Sequence, residues 1–341
     1  MKPAANAPAG WFERAGGGLI RHADWALGIG VLGVMVTLIT PVPPAVLDGL
    51  LALNITASLL VLLVVLNVRN TAELSTFPTL LLFATLFRLG LNVASTRLIL
   101  SGGDAGRVIE AFGDYVVQDN LTVGLIVFLI LVVIQFVVIT KGAGRISEVA
   151  ARFVLDAMPG KQMAIDADLN AGLIDQGEAK QRRARVAEEA EFYGAMDGAS
   201  KFVRGDAIAG LIITALNLVG GIAIGAASGL ALSDAAERYS MLTIGDGLVS
   251  QIPALFVSTA AAVLTTRASS KQSLGQNLVA QVGGRPRATL IVAGILFVFG
   301  LLPGMPRLPF WLLACVMLAA WRATRGAEGS ETLLRRGGAL P

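Results

Sequence analysis

Long apolar blocks divide this chain, and they constrain it more than any other feature. The clearest runs from Val116 to Ile139 and carries no charge between Thr122 and Thr140. A helix needs about 20 apolar residues to cross a hydrocarbon core. Eight blocks qualify as candidate spans: Trp25–Thr40, Val46–Val68, Phe77–Leu100, Val116–Ile139, Ala207–Ala227, Ser240–Thr265, Ala288–Leu302 and Leu308–Trp321. Composition agrees, with 55% hydrophobic and only 15% charged residues, where a soluble domain carries roughly a quarter charged. The expected fold class is an all-α polytopic membrane protein with about eight transmembrane helices.

What lies between the blocks sets the organisation. Residues 1–22 are rich in Ala, Gly and Pro and are expected to be a disordered cytoplasmic N-terminus. The first block ends in Pro41-Val42-Pro43-Pro44, not in a small-residue cleavage pattern, so it reads as a retained anchor. Residues 141–204 are polar. Within them Asp175-Gln176-Gly177-Glu178 resembles a capping box with Asp175 as N-cap. The run EAKQRRARVAEEAEFY after it is a strong helix former. A small helical cytoplasmic subdomain is therefore expected between spans four and five. Spans seven and eight are separated only by Pro303-Gly304-Met305-Pro306-Arg307, and a single re-entrant hairpin is the alternative for them. Residues 322–341 read as a cytoplasmic tail or the start of a linker.

Orientation follows from the lysines and arginines. With the N-terminus inside, 22 of the 27 fall in cytoplasmic segments and 3 (Arg107, Arg238 and Arg307) outside. Leaving out the long central segment still gives 12 against 3. Both termini are expected in the cytoplasm.

Several chemistries are disfavoured. The single Cys315 excludes a disulfide framework and a Cys-based zinc site, and the single His22 excludes a His-rich metal site. Gly28-Ile29-Gly30-Val31-Leu32-Gly33 matches a dinucleotide fingerprint, but no strand precedes it. Small residues at that spacing read instead as a close helix–helix contact. No GxxxxGK[ST] occurs. Neither an enzyme nor a cofactor is expected, and nothing suggests nucleic acid.

The informative residues are charges at membrane depth, which cost about 2.5–3.5 kcal/mol each on insertion scales. Asp48 opens the second span, Arg88 and Arg97 lie in FRLGLNVASTR of the third, Asp206 in KFVRGDAIAG opens the fifth, and Asp246 sits in TIGDGL of the sixth. Arginine holds its proton too firmly to relay it, so Arg88 and Arg97 read as structural partners, and Arg97 is expected to pair with a membrane aspartate of the same or the neighbouring subunit. Asp48 reads as interfacial. Asp206 and Asp246 can release and rebind protons. Both are flanked by glycine, where a backbone can loosen and a cavity form, and they read as the ends of a proton or ion path. Lys201 and Arg204 precede Asp206 at the cytoplasmic mouth; they either anchor the helix or tune Asp206.

These stretches also carry a resemblance. FPTLLLFATLFRLGLNVASTRLIL, VVITKGAGRISEVAARFVLDAMPGKQMAIDADLNAGLID, EFYGAMDGASKFVRGDAIAG and TIGDGLVSQIPALFVSTAA resemble the flagellar/invasion export-gate family, FHIPEP, from about Pro43 to Trp321. The flagellar branch fits better than the virulence branch, judging by IDADLNAGLI and MDGASKFVRGDAIAG. The resemblance implies an inner-membrane export gate that uses the proton motive force to pass unfolded flagellar subunits. It implies a homo-oligomeric ring, a nonamer, together with other export-gate membrane proteins. The family's critical charges match Arg97, Lys201, Asp206 and Asp246 here. The family also implies a large cytoplasmic domain beyond Pro341, either cut away or lacking in this protein.

Two other readings compete. Buried carboxylates and glycine-broken helices suit a secondary transporter of a small solute, although no inverted repeat relates the halves. A membrane scaffold whose buried charges only pair is the third.

Overall fold

The computed structural model describes residues 23–68, 71–102, 104–118, 120–267, 275, 286–302 and 305–337. The expected disordered N-terminus, Arg69, most of the segment linking spans six and seven, and Pro303-Gly304 of the expected turn lie outside them. Among the described residues the protein is helical and has no strand. It falls into two compact units, one of residues 1–65 and 71–268, the other of 66–70 and 269–341.

In the first unit, α1 (Ala23–Ile39), α2 (Pro44–Asn67) and α3 (Phe77–Gly102) correspond to the first three expected spans. The fourth departs from expectation. Val116 and Val117 belong to a separate helix, α4 (Arg107–Val117), which ends where Gln118 turns left-handed at φ 45°. The membrane helix α5 (Leu121–Val133) starts afresh at Asn120, whose Oδ1 accepts from the Val123 amide at 3.2 Å. Nor does this helix stop at Ile139. It passes through a wider π turn, Ile134–Thr140, into α6 (Lys141–Asn170).

The polar segment is continuous with the spans on either side. It is a helical hairpin that prolongs the neighbouring spans: α6 returns at residues 171–175 into α7 (Gln176–Ala227), one helix of 52 residues. The expected N-cap holds, with Asp175 Oδ1 accepting from the Glu178 amide at 2.6 Å. The tip has its own apolar cluster of Ile165, Ile174 and Ala179. Ion pairs Arg183–Asp166, Arg182–Asp168 and Lys161–Glu189 join its arms. The hairpin base is tied to α8 (Leu232–Thr266) by buried hydroxyls. Ser200 donates to Ser147 at 2.8 Å, and Ser147 lies 3.5 Å from Thr265 Oγ1.

Among the described residues, five helical stretches are long and apolar enough to cross a membrane: 44–67, 77–102, 121–170, 176–227 and 232–266. The expected total of eight spans goes beyond these. α1 has 17 residues, and α9 (Pro286–Phe299), in the second unit, has 14. There α10 (Arg307–Gly337) packs on α9, with Phe297 stacked on Trp311 at 6.2 Å.

α8 is the core helix of the first unit. More than half of its apolar window is buried, 56%, against 11% for the windows of α5 and α7. The latter two therefore turn most of their apolar surface outward, as spans exposed to lipid or to partners do. Small residues let α8 come close to its neighbours. On α7, Gly221 and Gly225 form a real GxxxG pair, and a Cβ on Gly225 would lie 2.7 Å from the Tyr239 ring of α8. Against α4 the approach is reciprocal: Gly113 faces the Met241 carbonyl and Gly245 faces that of Ile109. The expected close-contact motif, Gly28, Gly30 and Gly33, makes no such approach, with nothing within 4 Å of any of the three Cβ positions.

Candidate functional site

Three helices present polar stripes to one another. On α3 the stripe is Thr85, Arg88, Asn92 and Ser95; on α7 it is Asp206, Gly210, Thr214 and Asn217; on α8 it is Ser240, Thr243, Asp246 and Ser250. Steps of three and four residues keep each stripe on one helical face. All of these but Thr85, Ser95 and Asn217 line, together with side chains of α5, a cavity of about 390 Å³. Sequence reasoning found the charges of these stripes but missed Asn92, Asn217, Thr243 and Ser250. The signal was present as polar residues at helical spacing on otherwise apolar spans.

Asp206 and Arg88 form a buried ion pair, with side chains 1% and 6% exposed. Beyond the pair, neither Asp206 oxygen has a hydrogen-bond donor among the described residues. Asp246 is 4% exposed and has no cationic partner in the cavity lining other than Arg88, which Asp206 holds. Its Oδ2 accepts from Asn217 Nδ2 at 3.1 Å, and Ser95, whose hydroxyl donates to the Asn92 carbonyl at 3.1 Å, lies close by. Asn217 Oδ1 and Thr243 Oγ1 are buried without a partner among the described residues. Between the two carboxylates, Ser250 donates to Asn92 Oδ1 at 2.7 Å. Arg88 and Ser95 are seven residues apart on α3, and Asp206 and Asn217 eleven apart on α7, so roughly 10–16 Å of helical rise separates the two carboxylate sites. They do not form a dyad sharing one proton.

The backbone around Asp246 is not loosened, contrary to expectation: residues 232–266 are helical throughout. The flanking glycines serve close packing instead. Gly245 meets the α4 backbone, and Gly247 meets the Phe128 ring, which would lie 2.5 Å from a Cβ. Around Asp206, a side chain at Gly205 would meet nothing within 4 Å.

The remaining charges lie elsewhere. Among the described residues of this chain, Arg97 meets no aspartate. Its Nη1 donates to the Ile39 carbonyl at 2.9 Å and its Nη2 to that of Leu38 at 3.2 Å. The last carbonyls of a helix lack intrahelical donors, and a cation there also opposes the negative end of the helix dipole. Nine residues from Arg88, Arg97 sits about 180° around α3, so the two face opposite neighbours. Arg267 treats α2 similarly, Nη1 donating to the Val65 carbonyl at 3.1 Å. Asp48 does the converse at the start of α4, accepting from the Arg107 and Val108 amides at 3.1 and 3.0 Å. Its carboxylate fits because Gly106, at φ 89°, has no Cβ to meet it.

Lys201 and Arg204 do not tune Asp206 by contact. Five and two residues away on one helix, they lie about 140° and 200° around α7, and both are exposed. Lys201 Nζ donates to Asp197 Oδ2 at 2.7 Å. That hydrogen bond, and then the Asp197 charge, hold the Lys201 ammonium above its usual pKa.

Comparison with known proteins fits this arrangement. The model of the FHIPEP family matches residues 34–335. The flagellar biosynthesis protein FlhA of Yersinia enterocolitica is 53% identical over 324 residues, which are 92% of this chain and 47% of that protein. FlhA of Salmonella typhimurium is 52% identical over 318 residues, 91% of this chain and 46% of that protein. FlhA of Caulobacter vibrioides is 54% identical over 323 residues, 93% of this chain and 46% of that protein. The chain thus spans about half the length of the curated relatives it matches. No solved structure is similar to it.

Proposed function

Because the chain belongs to the FHIPEP family, we propose that it is the membrane part of the export gate of a flagellar protein export apparatus, coupling the proton motive force to export of unfolded flagellar subunits. Its expected setting is the bacterial inner membrane, with both termini cytoplasmic. Its expected partners are further copies in a ring, other export-gate membrane proteins and the exported subunits.

One observation carries the coupling reading: two buried carboxylates face a single cavity, one paired with an arginine and the other held only by neutral donors. A merely structural charge set would leave no lone carboxylate, since an unpaired buried charge is costly. Arg88 remains protonated, so the proton traffic falls to the aspartates. Asp246 takes a proton arriving from outside. Asp206 takes it next, and in doing so loses its charge and its hold on Arg88. The freed guanidinium must then find another acceptor, which strains the α3–α7 contact until the proton leaves to the cytoplasm. α7 is one helix from this pair to the cytoplasmic hairpin, and so gives that strain a continuous rod through which to move the hairpin.

The test is Asp206→Asn and Asp246→Asn in the full-length protein, with subunit secretion and proton flux measured together and protein level as control. Both variants are expected to assemble and to stop export. Normal secretion by both would remove the coupling reading. A solute carrier of the kind the cavity volume also suits would instead lose solute uptake and leave secretion unaffected.

A further inference from the structure

We infer that Asn92 and Ser250 form the crossing point of a hydrated proton path between Asp246 and the Arg88–Asp206 pair, with Asn92 as the positioning residue of its water file. The inference rests on the coupling reading above and specifies what joins its two ends. The only titratable groups on the cavity wall are Arg88, Asp206 and Asp246. The two carboxylate sites are separated by roughly 10–16 Å of helical rise, too far for direct transfer, since a proton moves along hydrogen bonds of about 2.6–3.2 Å. Intermediate carriers are required, and no side chain between the carboxylates ionises. Water must therefore carry the proton.

The cavity suits that role. At about 30 Å³ per molecule, its 390 Å³ holds roughly 13 waters. Orphaned polar atoms mark both of its ends: Asp206 Oδ1, the oxygen outside the Arg88 pair, at one, and Thr243 Oγ1 at the other. Buried polar atoms of native proteins are satisfied by protein or by water, and among the described residues the protein supplies these two with no partner. Most of the remaining wall is apolar, so a water file needs an anchor between its ends. Asn92 has the right chemistry and place. It lies one turn from Arg88 and within one turn of Ser95, which lies close to Asp246 and donates to the Asn92 carbonyl. Its Oδ1 is occupied by the Ser250 hydroxyl of α8, which fixes the amide orientation. Its Nδ2 then faces α7 at Gly210, 3.9 Å from where a Cβ would stand, and has no protein acceptor among the described residues. Gly210, one turn beyond Asp206, keeps that passage open. The amide orients water oxygens without binding the proton itself.

Two substitutions break the path differently. Asn92→Leu removes the anchor and leaves the volume; Gly210→Val fills the passage and leaves every hydrogen-bonding group. Each is placed in the full-length protein in inverted membrane vesicles. Proton flux under an imposed gradient is read with a pH dye, and modification of Asp246 by a hydrophobic carbodiimide is read by mass spectrometry. Both variants are expected to lose flux to background while Asp246 is still modified at the wild-type rate, because its own site is intact. Asn92→Ser, which keeps a small polar anchor, is expected to restore part of the flux. If one of the two blocking variants fails to accumulate, the other decides. Wild-type flux in the accumulating variant, with Asp206→Asn and Asp246→Asn inactive, would overturn the path and leave the coupling reading standing. Loss of Asp246 modification together with flux would also overturn it, since Asn92 would then only support the Asp246 site. Wild-type flux in the two Asn variants would remove the coupling reading, and the path with it.

Discussion

Arg88 and Arg97 stand nine residues apart on one helix, both charged at membrane depth, yet they occupy different kinds of place. Arg97 belongs with Arg267 and Asp48 in a set at helix ends, where each charge meets backbone groups that no intrahelical bond can reach. Arg88 belongs with Asp206 and Asp246 in a set at mid-helix, where the only partners are other side chains. The first set closes helices whose ends would otherwise leave orphan carbonyls and amides in an apolar setting. The second does nothing the helices require, and it lines a cavity. Depth in the membrane is thus a poor guide to role. What a charge touches separates a cap from a working group.

The largest effect expected of any single change falls on the cavity set. Removing one partner of a buried ion pair strands the other and costs about 3–5 kcal/mol. Arg88→Ala should therefore destabilise the protein by that order, read by thermal melting in detergent. Replacing both partners, as Arg88→Met with Asp206→Leu, should restore most of the stability and none of the export. Export by the double variant would place Arg88 and Asp206 among purely structural charges and erase the contrast.

The cap set should yield less. Arg97→Ala should cost about 1–2 kcal/mol, the range for a cation at a partly buried helix C-terminus. Arg97→Lys should lose part of this, because a single ammonium cannot serve two carbonyls as the guanidinium fork does. Neutralising any membrane aspartate should leave the Arg97→Ala loss unchanged; rescue by one would point to a pairing across subunits. Asp48→Ala should cost about 0.5–2 kcal/mol as a lost N-cap, and Asp48→Asn less, since the amide oxygen still accepts. Proteolysis at the start of α4 would report both.

Lys201 sharpens the comparison from outside both sets. It is exposed and paired one turn back on its own helix, so Lys201→Ala should leave the melting temperature unchanged. The family resemblance nevertheless marks it as critical. Loss of export at unchanged stability would place its contribution at a surface met by another molecule. Unchanged export would show that the resemblance carried over a residue this chain does not use.

Much of this was open to reading before any coordinates. Spans two and three, the Asp175 cap and the helix after it follow from apolar length and from capping chemistry, which are properties of neighbours in sequence. The break at 118–120 was missed because an apolar run conceals a change of helix when hydropathy is averaged. The amphipathic spacing of Val108, Ile109, Phe112 and Val116 was the sign of α4. Of the two readings of Lys201 and Arg204, direct contact with Asp206 could have been set aside in advance, because helical period alone turns positions two and five residues away from Asp206 off its face.

The sequence by itself determined that the chain is helical, that its helices are made for an apolar surrounding, and that a few charges among them need partners, because hydrocarbon tolerates neither open backbone nor bare charge. It could not say which partner each charge takes. Arg97 and Arg88 look alike in a string, and Gly28-Ile29-Gly30-Val31-Leu32-Gly33 looks more like a packing motif than Gly113 and Gly245, which are 132 positions apart. Only the tertiary structure decided these, since they turn on which helices become neighbours and at what register. That depends on packing summed over many small apolar contacts, none of which is marked by a residue of its own.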